Sequence, residues 1–258
     1  MPAHSRRQAG LSLVELMVAM TLGLFLILGV TQMYLDGSTR TRYFAGQSEN
    51  LDNARYLQQV LDARLSRAGY RRQPSARMSI AFPAQSKNGC SFAAGQALVR
   101  VDANTLCLRY QPRDDADTDC TGASLASVPG LTTPYATFSP SNDVVEKIGL
   151  ASGQLSCNGS VLADNVAAVH FDYGVDTGTD ENARQVARYV ASPGSAQTVR
   201  SLRYTLLLAS SGSNLTGGMS TTTCANWTTL SGGSACTDGD GTLRRIVSGS
   251  SMLRNLMP

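Results

Sequence analysis

Residues 16–35 form an unbroken run of twenty side chains without a formal charge. At 1.5 Å rise per residue, a helix of that length covers about 30 Å, the thickness of a bilayer core. A basic leader precedes it: residues 1–10, MPAHSRRQAG, carry Arg6 and Arg7 and end in Gly10. One carboxylate, Glu15, stands at the beginning of the apolar run. An ionised side chain within such a segment costs about 2.5–3.5 kcal/mol on insertion scales, so this charge needs a partner.

Three ordinary explanations of the segment compete. A secretory signal has an apolar core of 7 to 15 residues and a small-x-small cleavage site. Here the core is longer, and LILGVTQMYLDGS offers no such site. A twin-arginine signal would use Ser5-Arg6-Arg7, but Gln8-Ala9-Gly10 lacks the apolar residues that follow the arginines in that class. A plain single-pass anchor explains the length and the basic flank, and leaves Gly10 and Glu15 without a role.

The run Gly10-Leu11-Ser12-Leu13-Val14-Glu15-Leu16-Met17-Val18-Ala19 resembles the class III signal of type IV prepilins and type II secretion pseudopilins. The resemblance implies that a membrane-embedded prepilin peptidase cuts after Gly10 and methylates the new amine of Leu11, where the family most often has Phe. It also implies that Glu15, fifth in the mature chain, is the assembly residue that meets the amine of a neighbouring subunit. The chemistry agrees: an amine and a carboxylate, both desolvated in a packed helix bundle, each need an opposite charge.

Beyond the apolar run the helical pattern continues. Leu51, Ala54, Leu57, Leu61, Leu65 and Ala68 recur at spacings of three and four, with polar residues between them. No proline occurs over residues 3–73, and Gly69 with Pro74 supplies a stop. One helix over 11–68 is expected, with Asp36-Gly37 and Gly46 as its weak points. After Pro74 the period becomes two. Residues 97–101 and 105–110 read as a hairpin around Asp102-Ala103-Asn104, and 166–173, 199–209 and 243–247 read as further strands of an antiparallel sheet. The Gly/Ser/Thr/Pro-rich stretches 121–143 and 210–234 read as surface loops. The expected class is α+β, a long N-terminal helix packed on an antiparallel β-sheet head. The expected segments are a leader over 1–10, a transmembrane and assembly helix over 11–35, an amphipathic helix over 36–73 and a β-rich periplasmic head over 74–258.

The strand-rich part, through residues 165–176, 199–204 and 253–256, resembles PilW-type minor pilins and, almost equally, J-type pseudopilins of type II secretion. Such a resemblance implies a subunit of a minor-pilin complex that primes assembly. It would be held first in the inner membrane and then at the pilus tip or cell surface. The implied partners are other minor pilins, the major pilin, the inner-membrane assembly platform and a tip adhesin, with a cytoplasmic ATPase supplying the work.

Six cysteines, Cys90, Cys107, Cys120, Cys157, Cys224 and Cys236, all follow the apolar run. Their even number beyond a membrane segment points to disulfides, with fifteen connectivities open. Pairing the nearest in sequence would join 90 to 107, 120 to 157 and 224 to 236. A closed loop of about 15 residues contributes around 3 kcal/mol. Asp115, Asp117 and Asp119 alternate, and Asp238-Gly239-Asp240-Gly241 is a fragment of a calcium loop, but neither continues to the Gly and late Glu that calcium needs. They read as solvated acidic turns, and Asp172, Asp176 and Asp180 read as loop residues. No metal or other cofactor is expected, and no enzyme activity. The mature chain keeps one histidine, His170, and there is no nucleophile elbow, phosphate loop or dinucleotide fingerprint. Arg64, Arg67, Arg71 and Arg72 cluster at the end of the helix. A solvated face explains them better than nucleic acid, because the net charge of +3 falls to +1 once the two leader arginines are removed. An anchored adhesin or DNA-binding module is the remaining alternative.

Overall fold

The computed structural model describes residues 12–136, 138–176, 185–195, 197–217, 222–233, 236 and 239–257. The chain divides into two compact units, Met1–Ala45 and Gly46–Pro258. Helix α1, Leu13–Arg67, spans that boundary. It stays regular through Asp36-Gly37, because one glycine costs only about 1 kcal/mol relative to alanine in a helix. At Gly46 the missing side chain is used: a Cβ there would sit 2.8 Å from Leu215 Cδ1 and 3.3 Å from Leu243 Cδ1.

In the second unit α1 turns its stripe inward. Ala54, Leu57, Leu61, Leu65 and Ala68 are all buried. The helix ends where the sequence places a glycine: Gly69 has φ +72°, and its N–H donates to Arg109 O at 2.9 Å. A Cβ at this position would overlap Leu256. The left-handed backbone and the close approach both call for glycine.

The remaining elements are α2 (Met78–Ala81), β1 (Gln85–Lys87), β2 (Cys90–Phe92), β3 (Leu98–Arg100), β4 (Thr105–Tyr110), β5 (Val144–Ala151), β6 (Gln154–Cys157), β7 (Ser160–Ala163), β8 (Val166–Val175), β9 (Arg188–Val190), β10 (Val199–Ala209), α3 (Thr223–Ser231) and β11 (Arg244–Met252). They form two main antiparallel sheets rather than one. The first is the meander β3-β4-β5-β6-β7, the second has the order β11-β10-β8-β9, and β1-β2 is a separate ribbon. Strands β5 to β7 escape a reading of periodicity because a carboxylate and a lysine, Glu146 and Lys147, interrupt the first of them. Residues 243–247 are the beginning of a longer strand, with β11 pairing to β10 as far as Ser201 with Met252.

The core joins the helix stripe to alternate residues of both sheets: Leu106, Leu108 and Tyr110 of β4, Val169, Phe171 and Tyr173 of β8, and Leu202, Tyr204, Leu206 and Leu208 of β10. β4 is buried on its other face as well, where Cys107 packs with Cys90, Phe92 and Val145. Disulfides join Cys90 to Cys107, Cys120 to Cys157 and Cys224 to Cys236, with Cα atoms 6.0, 6.0 and 5.2 Å apart.

The two expected surface loops need correction. Residues 210–234 contain α3, whose Cys224, Trp227 and Ser231 are buried at helical spacing and which packs against β10 and β11. Threonines and a cysteine hide that spacing from a hydrophobic count. Residues 121–143 hold one short 3-10 turn, Pro140–Asn142, yet bury Leu125, Leu131 and Phe138 against the core. Leu61→Ala should lower the stability of the second unit by about 2–5 kcal/mol, measured by denaturant unfolding followed at Trp227. Leu28→Ala, on an exposed part of α1, should leave that transition unchanged.

Candidate membrane and assembly helix

The first unit exposes what a soluble protein hides. Leu13, Val14, Leu24, Phe25, Leu26, Ile27, Val30 and Met33 are all exposed, Phe25 and Met33 at 74% and 79%. No residue in the apolar stretch of α1 is buried inside the fold. Its threonines are satisfied within the helix: Thr21 Oγ1 donates to Val18 O at 2.9 Å, and Thr31 Oγ1 to Ile27 O at 2.7 Å. Threonines bonded back to the helix in this way can enter lipid or a bundle of like helices without stranding their hydroxyl donors.

Glu15 is exposed and lies in the first turn of α1. A carboxylate there is stabilised by the helix dipole, by about 0.3–1 kcal/mol. Gly10 and Leu11 lie outside the described residues.

In the second unit the arginines at the end of α1 form neither a solvated face nor a patch for phosphates. Arg64 Nη1 lies 3.4 Å from Glu146 Oε1, and Arg67 Nη1 donates to Thr118 O at 2.9 Å. Arg71 donates to Ala76 O at 2.6 Å, and Arg72 is 4% exposed. Each guanidinium is spent on the chain itself. The sequence could have hinted at this, since arginine rather than lysine is the residue suited to satisfying several carbonyls at once.

The acidic turns are also internally engaged. Asp117 Oδ2 accepts from Arg113 N–H at 2.7 Å, and Asp119 Oδ1 accepts from Thr121 N–H at 2.8 Å and from Ala123 N–H at 3.0 Å. Asp240 is held well below the usual carboxylate range by its hydrogen bond from Arg244. Asp238 and Asp180 lie outside the described residues. Asp172 is not the loop residue expected, whereas Asp176 follows the strand as expected. Asp172 is in β8, 3.2 Å from His170 Nε2, and Asp176 is buried at the end of β8 with Arg200 Nη2 at 3.2 Å. Ligand atoms of Cys120, Cys157 and Glu146 lie within 4.8 Å of one another, but the two sulfurs are bonded to each other and offer no thiolate to a metal.

Two buried carboxylates were not singled out from the sequence. Glu146 is fully buried; Tyr110 OH donates to its Oε1 at 2.9 Å, and burial pushes the carboxyl up against the opposing pull of Arg64. Asp143 is also fully buried, and neither of its carboxylate oxygens has a hydrogen-bond partner among the described residues. Burial pushes it up from 3.8 to about 7, with Arg109 and Lys87 pulling the other way. Arg109 itself is pulled down to about 10 by burial. Its Nε donates to Gln96 O at 2.6 Å and its Nη1 to Pro83 O at 2.7 Å.

Comparison with known proteins adds to this at the N-terminus. Residues 5–31 match the model of the prokaryotic N-terminal methylation motif. The chain therefore carries that motif on the exposed apolar end of α1, with Gly10 and Glu15 inside the matched span. No curated protein matches the chain. Among solved structures, a type IV-like pilin from Thermus thermophilus aligns with 15% identity and a TM-score of 0.48, covering 81% of this chain and 98% of that one.

Asp143 generates a pH dependence. Its proton is held more tightly in the folded chain than in the unfolded one. The associated stability is complete below about pH 4 and is lost as pH rises through about 7. Stability of wild type should fall across that window in chemical denaturation. In Asp143→Asn the fall should be shallower, because among the carboxyls of the described residues only Glu146 is then shifted in the same direction.

Proposed function

We propose that the chain is a minor pilin that takes part in the initiation and assembly of type IV pili, within a complex of minor pilins at the pilus tip. The observation that carries this reading is the methylation motif on an exposed apolar helix with one carboxylate in its first turn. Prepilin peptidase cuts after Gly10, and Leu11 becomes the N-methylated first residue. Before assembly the apolar part of α1 lies in the inner membrane with the β-rich unit in the periplasm, where three disulfides are stable.

Assembly transfers that helix from lipid into a bundle of like helices. Dispersion gains are similar in both surroundings, so the apolar surface gives little discrimination between docked and undocked states. Charge supplies it: Glu15 pairs with the methylated amine of an adjacent subunit, and a subunit that docks out of register leaves both charges buried and alone. Breaking such a pair costs about 3–5 kcal/mol, more than 100-fold in docking. The work of extraction comes from a cytoplasmic motor acting through the assembly platform.

The test is deletion of the gene in its host, with sheared surface pili compared against exported type II substrates and complementation by wild type or Glu15→Ala. Loss of pili with normal export, restored by wild type and not by Glu15→Ala, is the expected result. The Glu15→Ala protein should still be inserted in the membrane and begin with N-methyl-leucine by mass spectrometry. Normal pili with substrates trapped in the periplasm would make the chain a J-type pseudopilin instead.

A further inference from the structure

A cleft of about 420 Å³ opens in the second unit between residues 112–115 and residues 131–135. One buried guanidinium fixes both walls. Arg72 donates to Pro112 O at 3.3 Å and Arg113 O at 2.6 Å on one side, and to Leu131 O at 3.4 Å and Thr133 O at 2.5 Å on the other. Gln73 Nε2 adds a bond to Tyr135 O at 3.2 Å. The shape of the cleft is thus set before any ligand arrives, which removes an ordering cost from binding.

Two tyrosines, Tyr70 and Tyr135, line the cleft. Tyr135 is 72% exposed and has φ +58°. A left-handed backbone costs a residue of this size about 1–2 kcal/mol, and a phenol ring left in water gains nothing from the core. Such a cost is characteristic of positions that present a side chain. The polar groups beside the rings balance: Arg72 and Arg113 against Asp114 and Asp115. Arg113 Nε already donates to Asp114 Oδ2 at 2.8 Å. A polyanion therefore finds no net positive charge here. An extended peptide draws affinity from backbone pairing at a sheet edge, and neither wall is a strand.

One donor remains. The Nε–H of Arg72 is buried and has no partner among the described residues, a situation that costs about 1–3 kcal/mol. The groups packed around it close it off from the cleft, so it is not part of the surface a ligand meets. The exposed ring of Tyr135, the carboxylates of Asp114 and Asp115 that accept and the guanidinium of Arg113 that donates suit a ring with an apolar face and a hydroxylated rim. From this arrangement we infer that the cleft is a binding site for a neutral saccharide, with Tyr135 as the stacking platform.

The test uses the full-length protein in lipid nanodiscs, since glycoside detergents would compete. An array of neutral mono- to tetrasaccharides, with sialylated and sulfated glycans beside them, is followed by saturation-transfer NMR on the neutral glycan retained best. Retention of a neutral glycan with saturation of its ring C–H protons is expected. Tyr135→Ala should weaken it about tenfold and Tyr135→Trp should preserve it. Asp115→Asn, an exposed change on the opposite wall, should also weaken binding. Retention of no neutral glycan, retention of acidic glycans alone, or equal binding by Tyr135→Ala and Asp115→Asn would overturn the inference. The readout needs no pili, so its failure leaves the assembly reading standing.

Discussion

The burial of one helical stripe under two sheets organises the second unit. Leu57, Leu61 and Leu65 are at most 1% exposed, and each sheet offers them an apolar face that would otherwise meet water. Polar bonds flank the stripe and set its register. Asn50 donates to Leu243 O at 2.9 Å, Gln58 to Ser248 O at 3.1 Å, Tyr204 OH to Asp62 at 3.1 Å and Asn255 to Ser66 O at 2.8 Å. From Asn50 to Ser66 the helix is held by Leu243 just before β11, by β11 and β10, and by the segment after β11. Hydrophobic burial supplies the energy, and these directional bonds select one alignment among those that burial alone would permit.

The arginines do work that a larger protein core would leave to regular structure. Phe82, Pro83, Ala93, Gln96 and the segments 112–115 and 131–135 lie outside helix and strand, so their carbonyls lack ladder partners. Arg72 and Arg109 each accept that duty, reaching four carbonyls apiece. Arg109 also lies 4.6 Å from the centre of the Phe92 ring. A planar fork with five donors can serve several loops from one buried position, which a lysine cannot. Together with three disulfides, these side chains let long irregular segments keep fixed shapes, including the walls of the cleft below Tyr135.

The helix and its C-terminal stop were legible in sequence because the signals are local. Periodicity gave the stripe, Gly69 gave the stop, and the alternation in residues 166–173 and 199–208 gave two strands with the correct inward faces. The division into two sheets was not legible. Strand β5 breaks its hydrophobic pattern at Glu146 and Lys147, and α3 is written in threonines around Cys224 and Trp227. Likewise the arginine cluster looked like a face toward solvent, because sequence shows the charges and hides the carbonyls that surround them.

By itself the sequence determined the N-terminal character of this protein: two arginines before Gly10, a lone Glu15 and an uncharged span long enough for a bilayer. Each is a property of residue type at a fixed offset and needs no fold to exist. Tertiary structure alone decided which carboxylates are buried without partners, which arginines are spent on loops, and that Tyr70 and Tyr135, 65 residues apart in the chain, line one cleft. Those facts depend on long-range packing, where the free energy of a group is set by neighbours that its own stretch of sequence does not name.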